Sequence, residues 1–304
     1  MKHIIAAALC MCLFSYTYAC DVCGCGAASQ GLGMLPQFYK HFVGMQYQYR
    51  NFSAIHPGLT ETSPEERSID QYNTTQLWGR FQPSEHLQLF AFVPYQYNVQ
   101  KPEGKATTTQ SGIGDITLMA NAIAIKKTDS NGNAQLLLAG GGVKLPTGRH
   151  NGTLPNSTGL PEPQPGTGSW DFLLNANYTI KHKSAGLNTE ASYTLTTANK
   201  DAYKYGNRLS AAVRAFYMKE LGDFTLLPQI GGKYDFALHD YDNYDRKWLN
   251  NQTGGSAVYA TAAVQAFYRK IGMQIGYNYP LAQNYAQGNV TIKPQLDAGI
   301  FLLF

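Results

Sequence analysis

The chain has 304 residues, of which 14% are Asp, Glu, Lys or Arg, and its formal net charge is +4. Soluble domains usually carry about 25% charged residues, and so small a net charge does not indicate a nucleic-acid-binding protein. Gly (30), Tyr (21) and Phe (14) are abundant. This composition suits a transmembrane β-barrel with an apolar outer face, aromatic rims and tight turns, and a secreted β-sandwich is the alternative.

Residues 1–19 have the pattern of a secretory signal peptide. A short basic start at Lys2 and His3 precedes an apolar run over residues 4–14, and the segment ends at Ala19. The apolar run is too short for a spanning helix, and no later stretch approaches about 18 uninterrupted apolar residues. The sequence therefore predicts export and argues against a helical inner-membrane protein.

Residues 20–40 form a predicted periplasmic segment that carries Cys20, Cys23 and Cys25. Cys20 could be lipidated, or it could form a disulfide with Cys23 or Cys25 in an oxidising compartment. The three thiolates could also bind a soft metal such as copper or zinc, or take part in thiol–disulfide exchange. The sequence agrees with all four interpretations, and the third makes the three cysteines a candidate copper or zinc site.

Residues 41–304 show alternating apolar and polar positions about twelve times, which predicts a strand at each repeat. In one of them, Leu89, Ala91 and Val93 share one parity while Gln88 and Gln96 lie on the other. The predicted strands are 42–50, 74–81, 87–100, 113–126, 135–145, 170–181, 187–196, 208–219, 224–238, 258–269, 271–283 and 289–304. The predicted fold class is all-β, a transmembrane antiparallel up-and-down β-barrel of about 12 strands, forming one domain over residues 41–304.

The predicted connections alternate between long polar loops and short turns, starting with a long loop after the first strand. Bacterial barrels have short periplasmic turns and long external loops, so this order places both chain ends in the periplasm. A sheet in hydrocarbon must close on itself, because each unpaired backbone group would cost several kcal/mol. We therefore expect an even-stranded barrel in the outer membrane of a Gram-negative bacterium, in contact with its lipid.

The last predicted strand has an apolar face and a polar face. The first face includes Val290, Ile292, Leu296 and Leu302, and the second includes Lys293. Its ending at Phe304 resembles the signal by which outer-membrane barrels are passed to the barrel-assembly machinery. We therefore expect that machinery to be a partner.

Charged side chains fall almost wholly on the parity predicted to face inward. A Lys or Arg facing lipid at mid-bilayer would cost roughly 2–4 kcal/mol, so this segregation itself favours a barrel. The charges could pair and fill the lumen, or they could form an anion-favouring or amphipathic solute path. The predicted lumen-lining residues are Arg80, Asp115, Lys144, Asp171, Glu190, Arg214, Lys233, Asp235, Arg269 and Lys293.

Six aromatic side chains also fall on the inward parity. They could form an apolar constriction, or they could pack against the amino-terminal segment. These residues are Trp78, Phe90, Phe92, Phe216, Phe267 and Phe301.

Three motifs together resemble a known family of outer-membrane proteins. They are Gly-Ile-Gly-Asp-Ile at 112–116, Gly-Val-Lys-Leu-Pro-Thr-Gly at 142–148 and Pro-Gly-Thr-Gly-Ser-Trp-Asp at 165–171. In this order they are similar to the "meta-pathway of phenol degradation" family of transporters, over roughly residues 75–304. The resemblance implies a barrel that admits small, often hydrophobic or aromatic compounds, and the cysteine segment departs from it. The Gly and Pro residues are expected to shape the loops.

The mature sequence carries none of the hydrolase, zinc-protease or phosphate-loop motifs, so we do not expect an enzyme. His239, Asp240, Asp242 and Asp245 could bind a cation, but a solvated acidic loop is the preferred interpretation. We expect passive passage of small, hydrophobic or anionic solutes. The alternative is a barrel-anchored protein that handles metals or thiols through its cysteines.

Overall fold

The computed structural model describes residues 41–56, 65–150, 164–242, 246–250 and 253–304. The predicted signal peptide and the segment with Cys20, Cys23 and Cys25 lie outside these residues. Among the described residues, no helix combines the length and the apolar character needed to cross a membrane.

The described chain folds into twelve long antiparallel strands, three of which are interrupted once. They are β1 (Phe42–His56), β2 (Glu66–Ser84), β3 (Leu87–Pro102), β4 (Thr108–Ile113 and Thr117–Thr128), β5 (Ala134–Lys144), β6 (Asp171–His182), β7 (Ala185–Thr196), β8 (Arg208–Tyr217 and Lys219–Leu221), β9 (Phe224–Ala237), β10 (Gly255–Tyr268), β11 (Ile271–Tyr285) and β12 (Val290–Ile292 and Gln295–Leu303).

Each strand pairs with its neighbours in sequence, and the first pairs with the last. The register between β1 and β12 runs from Phe42 opposite Leu303 to Tyr49 opposite Leu296, and β12 also pairs with β11. Closure removes the two sheet edges whose backbone groups lipid could not satisfy. The predicted all-β, up-and-down barrel of about 12 strands is confirmed.

The outer face of the barrel is apolar and the inner face carries most of the buried polar and charged side chains, which is the reverse of a soluble domain. Ile230 on the outer face is 69% exposed and Leu281 is 63% exposed, whereas the inner-face amides of Gln88 and Asn121 are fully buried. So many apolar side chains in contact with water would promote aggregation. In contact with the hydrocarbon of a membrane, the same side chains carry no such penalty. The alternation predicted for β3, β6 and β7 matches the observed burial.

The connections after the odd strands lie at one end of the barrel, which we call the loop end, and those after β1, β5, β7 and β9 are long. The other two at this end are shorter than expected, since residues 103–107 join β3 to β4 and residues 286–289 join β11 to β12. The connections after the even strands have at most five residues, such as residues 183–184 between β6 and β7, and we call that side the turn end. At the loop end, Tyr203–Lys204, Tyr241–Asp242 and Lys247–Trp248 form a small three-stranded sheet.

The largest differences between the structure and the predicted strands are in β2 and β12. The β1–β2 hairpin is longer than expected, since β2 begins at Glu66 rather than at residue 74. In β12, Val290 and Ile292 are buried on the inner face, opposite to the predicted parity. The pairing with β1 shifts by one residue between Leu296 and Ile292, because Lys293 and Pro294 interrupt the strand. Such a bulge exchanges the two faces of a strand.

Candidate functional site

The inner face of the barrel holds most of the predicted lumen-lining residues. Eight of the ten lie there, buried or half-buried, as the alternation in their strands requires. They are Arg80, Asp115, Lys144, Asp171, Glu190, Arg214, Lys233 and Asp235.

Lys144 lies between two buried carboxylates near the loop end. Its Nζ is 2.5 Å from Asp171 Oδ2 and 3.3 Å from Asp115 Oδ2, and all three side chains are at most 6% exposed. Lys144 also donates a hydrogen bond of 2.6 Å to Thr167 Oγ1. We call Asp115, Lys144 and Asp171 the buried charge triad.

Backbone and hydroxyl groups complete the hydrogen bonding of the triad. Asp115 accepts hydrogen bonds from the backbone N–H groups of Gly148 and Thr167, both at 2.9 Å, and from the Thr167 hydroxyl at 2.7 Å. Ser169 donates to Asp171 Oδ1 at 3.0 Å. Buried charges are tolerated when they are paired and their remaining positions are hydrogen-bonded, and both conditions hold here.

The three sequence motifs converge on this triad, and each supplies one charged member. Asp115 comes from the link between the segments of β4, Lys144 ends β5, and Asp171 begins β6. Gly148 and Gly166 touch, since a Cβ on Gly148 would lie 2.6 Å from Gly166 Cα. The motifs were expected to shape loops. Their glycines do so, and the loop geometry also brings the three charges together.

Other inner-face charges are paired as well. Arg214 Nη1 lies 2.8 Å from Glu190 Oε1, and Lys233 Nζ lies 2.8 Å from Asp235 Oδ2. A third pair joins Arg50 Nη2 to Asp297 Oδ1 at 2.7 Å. These pairs leave little uncompensated charge on this part of the inner wall.

An apolar cluster fills the inner face near the turn end. Phe42 packs edge-on against Trp78 at 4.6 Å between ring centroids, and Trp78 stacks on Phe92 at 5.9 Å. The guanidinium of Arg80 lies 5.3 Å from the Phe42 ring. We call it the aromatic cluster, and its members are Phe42, Trp78, Phe90, Phe92, Met119, Phe267, Phe301 and Leu303. Phe216 packs separately with Leu227.

Arg269 and Lys293 lie elsewhere than the sequence suggested. Arg269 occupies the turn between β10 and β11, where it is 68% exposed and pairs with Asp223 at 2.9 Å. Lys293 is exposed in the break between the segments of β12. The strand ended one residue early in the first case, and the bulge reversed the parity in the second.

The loop end contains buried polar contacts that spacing did not predict. Asp240, expected in a solvated acidic loop, is fully buried and accepts hydrogen bonds from the Tyr203 hydroxyl and from the Gly206 N–H. His150 Nε2 lies 2.5 Å from Asp201 Oδ2, which ties the loop after β5 to the loop after β7. Within the described ranges, no three His, Cys, Asp or Glu side chains converge on a metal-sized site.

A family model described as "Putative MetA-pathway of phenol degradation" matches residues 69–235 of the chain. The chain belongs to this family. The matched region runs from β2 into β9 and contains the buried charge triad. It therefore includes all three motifs of the family resemblance. No curated protein matches the chain.

Solved structures show the same fold as this member of the phenol-degradation family. The COG4313 outer membrane channel from Pseudomonas putida F1 is 17% identical, with a TM-score of 0.64 over 88% of this chain and 99% of that chain. The beta domain of the Bordetella autotransporter BrkA is 12% identical, with a TM-score of 0.51 over 86% of this chain and 99% of that chain. At these identities the likeness concerns the fold.

Proposed function

We propose that the chain is a passive channel for small solutes in the outer membrane of a Gram-negative bacterium. The observation that carries this proposal is the closed twelve-stranded barrel with apolar residues outside and paired charges inside. Twelve strands enclose more space than an eight-stranded barrel that side chains can fill, and less than a sixteen-stranded porin. The similarity to a structure called an outer membrane channel supports the same proposal.

The orientation follows from the lengths of the connections. The turn end faces the periplasm in this proposal, because outer-membrane barrels have short turns there and long loops outside. The aromatic cluster then lies on the periplasmic side of the barrel, and the buried charge triad lies on the external side. A solute entering from outside meets the triad before the aromatic cluster.

Conductance of the purified mature protein in planar lipid bilayers tests this proposal. We expect discrete current steps that disappear when the protein is heat-denatured before insertion. A correctly folded barrel that inserts without conducting, and that admits no uncharged solute into liposomes, would contradict the channel function.

A further inference from the structure

Glutamines form a row across the seam where the first and last strands meet. Gln265 on β10 lies opposite Gln274 on β11, and Gln46 on β1 lies opposite Gln76 on β2. Gly299 on β12 is in register with both Gln274 and Gln46, so it links the two pairs. Five neighbouring strands thus carry four amides and one glycine side by side on the inner face, which we call the glutamine row.

Several amide atoms in this row and on the strands around it have no hydrogen-bond partner among the described residues. Gln46 Oε1 and Gln265 Oε1 in the row are two of them, and their side chains are 4% and 6% exposed. Gln229 Nε2 on β9 is a third, and Gln295 Oε1 lies further along β12, four residues from Gly299. A buried amide oxygen without a donor is costly, so these atoms favour a guest that brings hydroxyl or N–H groups.

The other side of the barrel presents the same chemistry. Both amide atoms of Asn121 on β4 are buried without a hydrogen-bond partner in the described part of the chain, as are Asn177 Nδ2 on β6 and Ser192 Oγ on β7. Strands β4 to β7 lie about half the barrel away from the seam. A molecule between the two walls would therefore meet donors and acceptors on both sides.

Several charges of these two walls are paired with each other. Arg214 is paired with Glu190, and Arg50 is paired with Asp297, while Arg80 lies among the rings of the aromatic cluster. An ion entering here would lose water of hydration without gaining a free counter-charge from these pairs, which is unfavourable. An uncharged solute would lose less, because amides can replace its hydrogen bonds to water.

The glutamine row adjoins the aromatic cluster. The next inward-facing residue on each strand belongs to that cluster: Trp78 follows Gln76, Phe267 follows Gln265 and Phe301 follows Gly299. Trp78 Nε1 is itself buried without a hydrogen-bond partner among the described residues. Ring faces beside amides suit a guest with a flat, weakly polar face and a rim of hydroxyl groups.

We propose that the glutamine row and the amides facing it bind and pass an uncharged, ring-shaped solute with several hydroxyl groups, of which a neutral monosaccharide is the simplest example. This inference rests on the proposed channel function and narrows the solute class. Gln46 and Gln265 donate and accept hydrogen bonds at the solute rim, and the aromatic cluster contacts its ring face.

Liposome swelling with three sugars of similar size tests the charge preference. Glucose is uncharged, glucosamine is a cation and glucuronate is an anion. We expect glucose to enter at least about threefold faster than either charged sugar, because the amide walls do not repay the dehydration of a charge. Equal rates for the three sugars, or faster entry of a charged one, would overturn the inference while leaving the channel function intact.

A double variant, Gln46→Leu with Gln265→Leu, tests the residues themselves. Losing two hydrogen-bonding groups should slow glucose by about threefold to tenfold. The matched control is Met45→Leu, which changes the neighbouring side chain on the outer face and should leave the rate unchanged. Unchanged glucose entry in the folded double variant would overturn the assignment.

Gln46→Glu keeps the size of the side chain and adds a negative charge. It tests the same position if the double leucine variant does not fold. We expect glucosamine entry to rise and glucuronate entry to fall, with glucose changing less than either. If neither charged sugar responds, residue 46 does not face the solute and the proposal is wrong. If the wild-type protein conducts in planar bilayers but admits none of the three sugars, the inference is overturned and the channel function stands.

Discussion

Lys144 is a cation enclosed by anions in the interior of the barrel. Its ammonium contacts Asp171 and Asp115, and the Thr167 hydroxyl is a further hydrogen-bond partner. The net stability that such a cluster contributes is much smaller than the stability that is lost when one of its members is removed. The intact cluster contributes modestly to stability, whereas loss of the cation leaves two carboxylates buried together.

We expect Lys144→Met to destabilise the folded barrel by about 3–5 kcal/mol, the cost of breaking a buried ion pair. Unfolding by denaturant in detergent, followed by tryptophan fluorescence, measures the change. Lys293→Met is the control, since that side chain is exposed and its loss should stay within about 0.5 kcal/mol. Adding Asp171→Asn to Lys144→Met should recover part of the stability. Equal stability of Lys144→Met and wild type would contradict a role for the triad.

The turn between β4 and β5 is organised by Asp129. Its carboxylate accepts hydrogen bonds from the Asn133 side chain at 2.7 Å, and from the backbone N–H groups of Asn133 and Asn131 at 2.9 Å. These bonds, the one from the Asn133 side chain first, hold the pKa of Asp129 below its ordinary value of 3.8. Hydrogen bonds donated to a carboxylate stabilise its ionised form and so lower its pKa.

Because the folded-state pKa of Asp129 is lowered, its stabilising contribution is present above the ordinary pKa of the unfolded chain and is lost as the pH falls through the folded-state pKa. We expect Asn133→Ala to raise the pKa of Asp129 towards its ordinary value, as measured by carboxyl-carbon NMR during a pH titration. Asn131→Ala is the matched control, because Asn131 donates only its backbone N–H in this turn. A pKa unaffected by Asn133→Ala would refute the assigned cause.

At the scale of elements, the break within β4, the end of β5 and the start of β6 are held together by close backbone contact and hydrogen bonds. Gly148 and Gly166 approach so closely that neither has room for a side chain, and the Gly148 N–H points to Asp115. The loop after β5 is therefore held against the barrel wall at both of its ends. Side-chain pairing in the triad depends on this backbone arrangement.

Gly148→Ala should destabilise the barrel by about 1–3 kcal/mol, the usual cost of overpacking. The added Cβ would lie 2.6 Å from Gly166 Cα and 2.9 Å from Asp115 Oδ1. Gly232→Ala is the control, because the nearest atom to its Cβ would be 3.6 Å away. Thermal unfolding of both variants in the same detergent measures the difference. Equal melting temperatures would show that the contact can relax without cost.

The alternation of side chains was sufficient to predict the strands, because each barrel strand contacts lipid on one face and the lumen on the other. It failed at β12, where one extra residue at Lys293 and Pro294 reverses the faces without any change in composition. It also could not show that Arg269 lies beyond the end of β10. The convergence of Asp115, Lys144 and Asp171 depends on register between neighbouring strands, which a single sequence does not reveal.

For the whole molecule, the important property is the balance of charge on the inner wall. Arg214 pairs with Glu190 and Lys233 pairs with Asp235, so these cations carry their own counter-ions. In the proposed channel such an arrangement should give weak selection between anions and cations. Selectivity would then change when one member of a pair is neutralised.

Glu190→Gln should make the channel more anion-selective, because it leaves the Arg214 charge unbalanced. A unit charge at about 4 Å in water-like surroundings is worth about 1 kcal/mol, or about fivefold in relative permeability. The reversal potential under a KCl gradient measures this change. Asp223→Asn is the matched control, since it removes the partner of Arg269 in an exposed turn and should not shift the potential. A shift of equal size in both variants would point to surface charge instead.

The close contact of Gly148 with Gly166 also bears on engineering. A loop exchanged at the strand ends, after Lys144 and before Asp171, would discard Thr167 and Ser169, whose hydroxyl groups donate hydrogen bonds to Asp115 and Asp171. Grafts of peptides or reporter tags should instead be inserted between Arg149 and Gln164. The hydrogen-bonded base of the loop would then be carried intact into every chimera.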